Sequence, residues 1–333
     1  MGPSIAALLS RHAIDKREAQ LLLAHALGVS RASIIAHPQR LLDAAEEQLA
    51  QNLIERRAAG EPIAYLIGRR EFYGRDFVVS PATLIPRPET ELIIEQALAR
   101  LNSDLSPVSR ASASVSPALI SQNSPSPSFQ RRLESSPLQS DRKLDGLDSS
   151  LRWNDESACH TELTRNVASV LDLGAGSGVI AVSLALECPD AMVVAADISR
   201  DALSIATENA RRLDASVEFV ESNWYARLEG RKFDLIVANP PYIAAGDAHL
   251  SQGDLRFEPQ IALTDESSDG LRSIRTIIQG APAHLHPGGW LLFEHGYDQT
   301  DACRALLLKA GFENLLSVND LAGISRVAGA QIG

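Results

Sequence analysis

The segment Val170-Leu171-Asp172-Leu173-Gly174-Ala175-Gly176-Ser177-Gly178 constrains the fold of this chain more than any other. An apolar run ends in a glycine-rich turn and passes into a second apolar run, 179–186, of helical length. Glycines at such a junction allow a tight turn and let a ligand approach the backbone. The alternation then continues, with strands over 192–196, 216–220, 233–238 and 289–294 and helices over 200–213, 271–285 and 300–310. Two weaker strand signals, 313–318 and 323–328, bring the count to seven. Alternating strands and helices predict an α/β architecture, a doubly wound and mostly parallel sheet.

The residues before this sheet differ in character. A helix is expected over 43–59, where Asp43 and Glu46 have capping-box spacing and Gly60 with Pro62 supplies the stop. Leu49, Leu53 and Ile54 should line its inner face, and 18–27, closed by Gly28, is a second helix. The expected organisation is a small N-terminal helical domain over 1–62 that docks the substrate, then a β-hairpin linker over 63–83. A catalytic domain should fill 84–333. Short β-type pieces broken by Gly68 and Gly74 support the linker, and a helix is expected over about 90–101. Residues 102–160 hold sixteen serines and five prolines among 59 residues with no sustained apolar period, which predicts a disordered insertion.

Composition excludes several classes. No apolar run approaches the ~18 residues of a membrane span, and no basic stretch precedes the short apolar patch near the N-terminus, so neither membrane nor export is expected. Three scattered cysteines lack metal-ligand spacing and suit a reducing, cytoplasmic setting; no metal is expected. A net charge of −11 argues against direct binding of a long nucleic acid.

The glycine loop departs from the dinucleotide fingerprint G-x-G-x-x-G/A, because its third glycine comes one residue early and Val179 stands in the expected place. Asp172, an anion at the strand end, would oppose a pyrophosphate but suits a ligand bearing an ammonium and a sulfonium. These two features disfavour an NAD-dependent oxidoreductase. Asp197, nineteen residues after Gly178, is placed to accept ribose hydroxyls; its plainer alternative is a cap of the next helix. Trp224, after the third strand, is a candidate neighbour of an adenine or a core residue.

The strand 233–238 runs directly into Asn239-Pro240-Pro241-Tyr242. Ligands of open parallel sheets bind outside the carboxyl ends of the strands, which places this turn beside the glycine loop. An amide or nucleobase nitrogen is a poor nucleophile because its lone pair is delocalised. The Asn239 side-chain oxygen and the Pro240 carbonyl can each accept one N–H of a planar NH₂ group and hold it in line for attack. The prolines stiffen that backbone, and Tyr242 can pack over a flat acceptor. Loop and turn together indicate a methyltransferase that uses S-adenosylmethionine. Its target is a planar NH₂, of glutamine or of adenine.

With these motifs the chain resembles the peptide-chain release factor glutamine methyltransferase family over nearly its full length, apart from the serine-rich stretch. The matching pieces are the N-terminal helices, Leu84-Ile-Pro-Arg-Pro-Glu-Thr-Glu91, the glycine loop, Asn239-Pro-Pro-Tyr-Ile243 and Asp254-Leu-Arg-Phe-Glu-Pro259. The resemblance implies a seven-stranded, Rossmann-like methyltransferase sheet with its last strand antiparallel. It further implies N5-methylation of the glutamine in the Gly-Gly-Gln motif of class 1 release factors. Asp172, Leu173, Gly174, Ala175, Gly176, Asp197, Trp224 and Asn239 would touch S-adenosylmethionine, and Asn239, Pro240, Pro241 and Tyr242 the glutamine. Arg87, Pro88, Glu89 and Thr90 would lie beside the site. An adenine-N6 methyltransferase acting on RNA or DNA shares the turn, but would need a basic face or a recognition domain. A catalytically dead binding module would not need Asp172, Asn239 and Tyr242.

Overall fold

The computed structural model describes residues 2–11, 14–104 and 167–333, so the serine-rich stretch lies outside the described residues from position 105 onward. Five helices open the chain: α1 (Ile5–Leu9), α2 (Lys16–Leu27), α3 (Arg31–Ala36), α4 (Ala44–Ala58) and α5 (Ile63–Ile67). The first four are capped by Ser4, Asp15, Ser30 and Asp43, whose side chains accept backbone N–H groups of the first turn. Asp43 and Glu46 form the expected capping box. The inner face of α4 is centred one residue later than expected. Ala50, Leu53 and Ile54 are buried with Leu22, Leu23 and Ile34, whereas Leu49 lies on the flank, 48% exposed.

Residues 63–67 also depart from expectation, being helical rather than β-type. Five residues are too few for a helical period to show in sequence. Pro62 sets the entry, Gly68 closes the turn in the left-handed region, and Leu66 buries into the core of the preceding helices. Strands β1 (Arg69–Phe72) and β2 (Arg75–Val78) then pair antiparallel across Tyr73-Gly74. Both turn residues have positive φ, 50° and 70°, the hand that matches the twist of the strands. Phe72 and Phe77 pack edge to face in the main core. A single 3-10 turn, Pro88–Thr90, leads into α6 (Glu91–Asp104).

The main sheet has seven strands: β3 (Ser169–Leu173), β4 (Met192–Asp197), β5 (Glu218–Glu221), β6 (Phe233–Ala238), β7 (Leu285–Glu294), β8 (Phe312–Asn319) and β9 (Ser325–Ile332). Their order is β5-β4-β3-β6-β7-β9-β8, and β9 runs antiparallel to both neighbours. The doubly wound expectation holds, last strand included. Between the strands lie α7 (Val179–Glu187), α8 (Arg200–Leu213), α9 (Gln260–Leu263), α10 (Arg272–His284) and α11 (Thr300–Lys309). Helices α6, α7 and α8 bury one face of the sheet and α10 and α11 the other. Successive residues of β3 accordingly enter opposite cores, Val170 one and Leu171 the other. No helix among the described residues is long and apolar enough to cross a membrane.

Candidate active site

Chain order reverses between β3 and β6, which lie side by side while their connections leave in opposite directions. A crevice opens at such a point, at the carboxyl ends of the strands. Here it is a cavity of about 720 Å³ lined by Gly174, Ala175 and Gly176, and across it by Asp197, Trp224 and Asn239. Pro241 also lines it, as do Leu84, Pro86 and Thr90 from the segment ahead of α6.

The glycine loop is built for close approach. Gly174 and Gly176 have φ of 75° and 55°, and a β-carbon on Gly176 would meet nothing within 4 Å, so the loop backbone faces open space. Gly178 serves packing instead: a β-carbon there would come within 2.9 Å of the Ala206 Cβ, so it lets α7 lie against α8. Asp197 accepts from Gly176 N and Ser199 N, each at 2.8 Å, and thereby ties the loop to the start of α8. Burial raises its pKa, while the backbone donors from Ser199 and Gly176 oppose the shift. Asp197 lines the cavity, whereas the cap of α8 is Ser199, whose side chain accepts from Ala202 N at 3.2 Å. Trp224 adopts a left-handed backbone, φ 49°, and a β-carbon on Gly174 would stand 3.6 Å from the Trp224 ring. Ser222 supports this strained turn, donating to the Trp224 carbonyl and accepting from Arg227 N.

Asp172 and Leu173 do not line the cavity; both are fully buried beneath it. Asp172 Oδ2 accepts from Ala181 N in the first turn of α7 at 3.1 Å, and its Oδ1 has no partner among the described residues. Burial pushes this carboxyl up to about 7, the Ala181 donor pulling the other way and Asp197 adding repulsion. Pro240 and Tyr242 likewise stand behind the wall. The Tyr242 hydroxyl donates to Glu294 Oε1 at 2.8 Å, which fixes the ring in the core rather than over the cavity. The Tyr242 carbonyl accepts from Gln299 Nε2 and lies where a β-carbon of Gly270 would meet it at 2.1 Å.

Thr90 joins these residues. Its hydroxyl donates to Glu294 Oε2 at 2.7 Å and receives Asn239 Nδ2 at 3.0 Å. Glu294, at the end of β7, is fully buried, and burial raises its pKa against the two hydroxyl donors. The other segments behind the resemblance also meet in space. Arg87 pairs with the buried carboxylate of Glu258, which also accepts from Ile85 N at 2.9 Å. Arg57 of α4 donates to Glu18 and reaches Asp254 at 3.2 Å, linking the N-terminal helices to the 254–259 segment.

The family described as the Methyltransferase small domain matches residues 158–254, and the PrmC N-terminal domain matches residues 4–68. The chain is 41% identical over 326 residues to the release factor glutamine methyltransferase of Bordetella pertussis, covering 98% of each. It is 44% identical to that of Burkholderia pseudomallei, covering 99% of this chain and 97% of the relative. The chain belongs to the release factor glutamine methyltransferase family. Within this member of the family, sequence reasoning missed Glu294, Asn209 and the α10 residues Ser273, Thr276 and Gly280, which line the cavity. Asn209 is a buried side chain that bonds Ser177 O, Val78 O and Val78 N at 2.7 to 2.9 Å and so ties β2 to the glycine loop. Glu294 had one readable signal, an acid closing an otherwise apolar strand, Trp290-Leu-Leu-Phe-Glu294. Asn209, in a polar stretch of α8, had none.

Proposed function

We propose that this chain methylates the side-chain amide nitrogen (N5) of the glutamine in the Gly-Gly-Gln motif of peptide-chain release factors, class 1 factors in particular. S-adenosylmethionine is the donor and the cytoplasm the setting. The observation that carries this reading is Asn239 at the cavity wall. Its Nδ2 is engaged by Thr90, which leaves Oδ1 to accept an incoming N–H. The full-length relatives carry the release-factor name.

The cavity suits the donor. The backbone of Gly176 is open to a ligand, Asp197 offers carboxylate oxygens to ribose hydroxyls, and Trp224 offers a ring beside Gly174. Asp172, buried with one oxygen unpartnered, places a carboxylate that a cation overhead would offset. S-adenosylmethionine supplies an electrophilic methyl group when bound there.

The rest belongs to the chain. Asn239 Oδ1, at the cavity wall, accepts one N–H of the target amide and holds its nitrogen toward the methyl carbon; the Pro240 carbonyl, set back from the wall, takes the second once the amide is seated. As positive charge develops on that nitrogen, the two acceptors bind it more strongly than the neutral amide, which lowers the barrier. Pro240 and Pro241 keep the carbonyl from turning away. No strong base is required, because the methylated nitrogen is acidic and releases its proton readily. Tyr242 acts from behind, holding the turn through Glu294, rather than as a stacking platform. Helices α1–α4, within residues 1–62, serve as the docking domain, with 63–83, which holds α5 and the β1–β2 hairpin, as linker and 84–333 as the catalytic domain.

The test supplies radiolabelled S-adenosylmethionine to purified release factor, its Gln-to-Ala variant and bulk nucleic acid. Label should enter only the parent factor. Label in nucleic acid, the outcome for an adenine methyltransferase, or label persisting in the Ala variant would sink the proposal.

A further inference from the structure

The side chain of Asn239 has two ends of nearly equal shape and opposite polarity, and only one suits an NH₂ target. Oδ1 accepts an N–H, whereas Nδ2 would set donor against donor. Neither proline beside Asn239 has an N–H to favour one orientation. The choice is made one hydrogen bond beyond its hydroxyl partner, Thr90. Glu294 is fully buried, and two hydroxyls converge on it, Thr90 at 2.7 Å on Oε2 and Tyr242 at 2.8 Å on Oε1. A carboxylate receiving both is acceptor only, so each hydroxyl spends its single proton on it. The Thr90 oxygen can then only accept from Asn239, and the atom 3.0 Å from it must be the NH₂ end.

We propose that Glu294, acting through Thr90, is a positioning residue that fixes the polarity of the Asn239 amide and so presents Oδ1 to the substrate. The same carboxylate, through Tyr242, anchors the far end of the Asn-Pro-Pro-Tyr turn. Asn239 and Tyr242, the ends of the tetrapeptide, are thus set by one group contributed by β7, with Thr90 from the Ile-Pro-Arg-Pro-Glu-Thr segment as the connector. The ordering of donors is a property of the chain; its catalytic consequence rests on the amide-methylating function proposed above.

Thr90→Val removes the hydroxyl at nearly constant shape, and Thr90→Ser retains it. The side-chain NH₂ resonances of Asn239 are followed by ¹⁵N NMR, assigned by their loss in Asn239→Asp. Turnover with release factor and the Kd of S-adenosylhomocysteine are measured alongside. The Val variant should shift the Asn239 NH₂ pair and speed its solvent exchange. Leaving a buried acceptor short of a donor should also cost roughly ten- to a hundredfold in kcat. The nucleoside Kd should stay within twofold, and Thr90→Ser should restore both the resonances and most of the turnover. Glu294→Gln, whose carboxamide must turn a donor toward one of the two hydroxyls, should lower kcat with the same unchanged Kd.

Unmoved Asn239 resonances in Thr90→Val would overturn the inference, as would a Ser variant as impaired as the Val one. A parent enzyme that leaves the release factor unlabelled refutes the proposed function instead, while the NMR comparison still decides the donor order.

Discussion

Asp172→Asn isolates the buried carboxyl beneath the glycine loop. The folded chain holds this group at about 7, chiefly through burial, against an ordinary carboxyl value near ~3.9 in the unfolded chain. A raised folded value means the proton binds more tightly to the folded state. The resulting stability is complete below pH ~4 and is lost as the pH rises through 7. At about 1.4 kcal/mol per unit the whole loss is roughly 4 kcal/mol, of which the larger part, about 2–3 kcal/mol, falls between pH 5 and 8. Asparagine matches the protonated acid in shape. It too keeps an acceptor for Ala181 N and leaves one polar end without a partner, as Oδ1 is now. The variant should therefore be the more stable at both values, by about 1–2 kcal/mol at pH 5 and by roughly 4 kcal/mol at pH 8. The assay is thermal and urea unfolding of both proteins, without ligand, at the two pH values. At roughly 2–4 °C per kcal/mol for a domain of this size, the gap in Tm should widen by about 5–10 °C. A gap that stays constant across the range would refute the argument, since burial would then not be setting this pKa.

The same variant should weaken S-adenosylmethionine more than S-adenosylhomocysteine, because only the former carries the sulfonium charge; equal losses by calorimetry would remove Asp172 from cofactor electrostatics. Asn239→Ala should lower turnover far more than cofactor affinity, and comparable losses in the two would mean that it mainly binds cofactor. Gly270→Ala should abolish stable packing of the Asn239–Tyr242 turn, because its β-carbon would stand 2.1 Å from the Tyr242 carbonyl on a backbone at φ 63°; unchanged activity and Tm would contradict that contact. Asn209→Leu should destabilise by about 3 kcal/mol, three hydrogen bonds from a buried side chain to the backbone being lost together, and urea unfolding would measure it.

Much of this protein is legible one residue at a time, because the signals are local. Glycines flanking an apolar strand, a capping box at Asp43 and the period of the buried strands announce their elements wherever they occur. Asn239 and Asp197 could be placed at one cavity because strand ends of a doubly wound sheet converge, whatever lies between them in sequence. Helix α5 was lost for the opposite reason: five residues carry no period, and their helicity comes from Leu66 packing on helices formed earlier in the chain.

Tertiary structure decided what each of those residues can do. Asp172 looks like a ligand-facing acid in sequence, yet the turn of the chain into α7 draws it under the loop. Tyr242 looks like a platform, yet β7 brings Glu294 within reach of its hydroxyl and holds it back. Thr90, 149 positions before Asn239, acquires its role only when α6 docks beside β6 and β7. The polarity of an amide is invisible in the letter that encodes it. It depends on which groups the fold assembles around it, and a hydroxyl with a single proton passes that choice from Glu294 to Asn239. Sequence alone therefore determined the sheet, the loop and the chemistry that a planar nitrogen demands; the orientation of the side chains that meet that demand was settled by contacts between residues far apart in the chain.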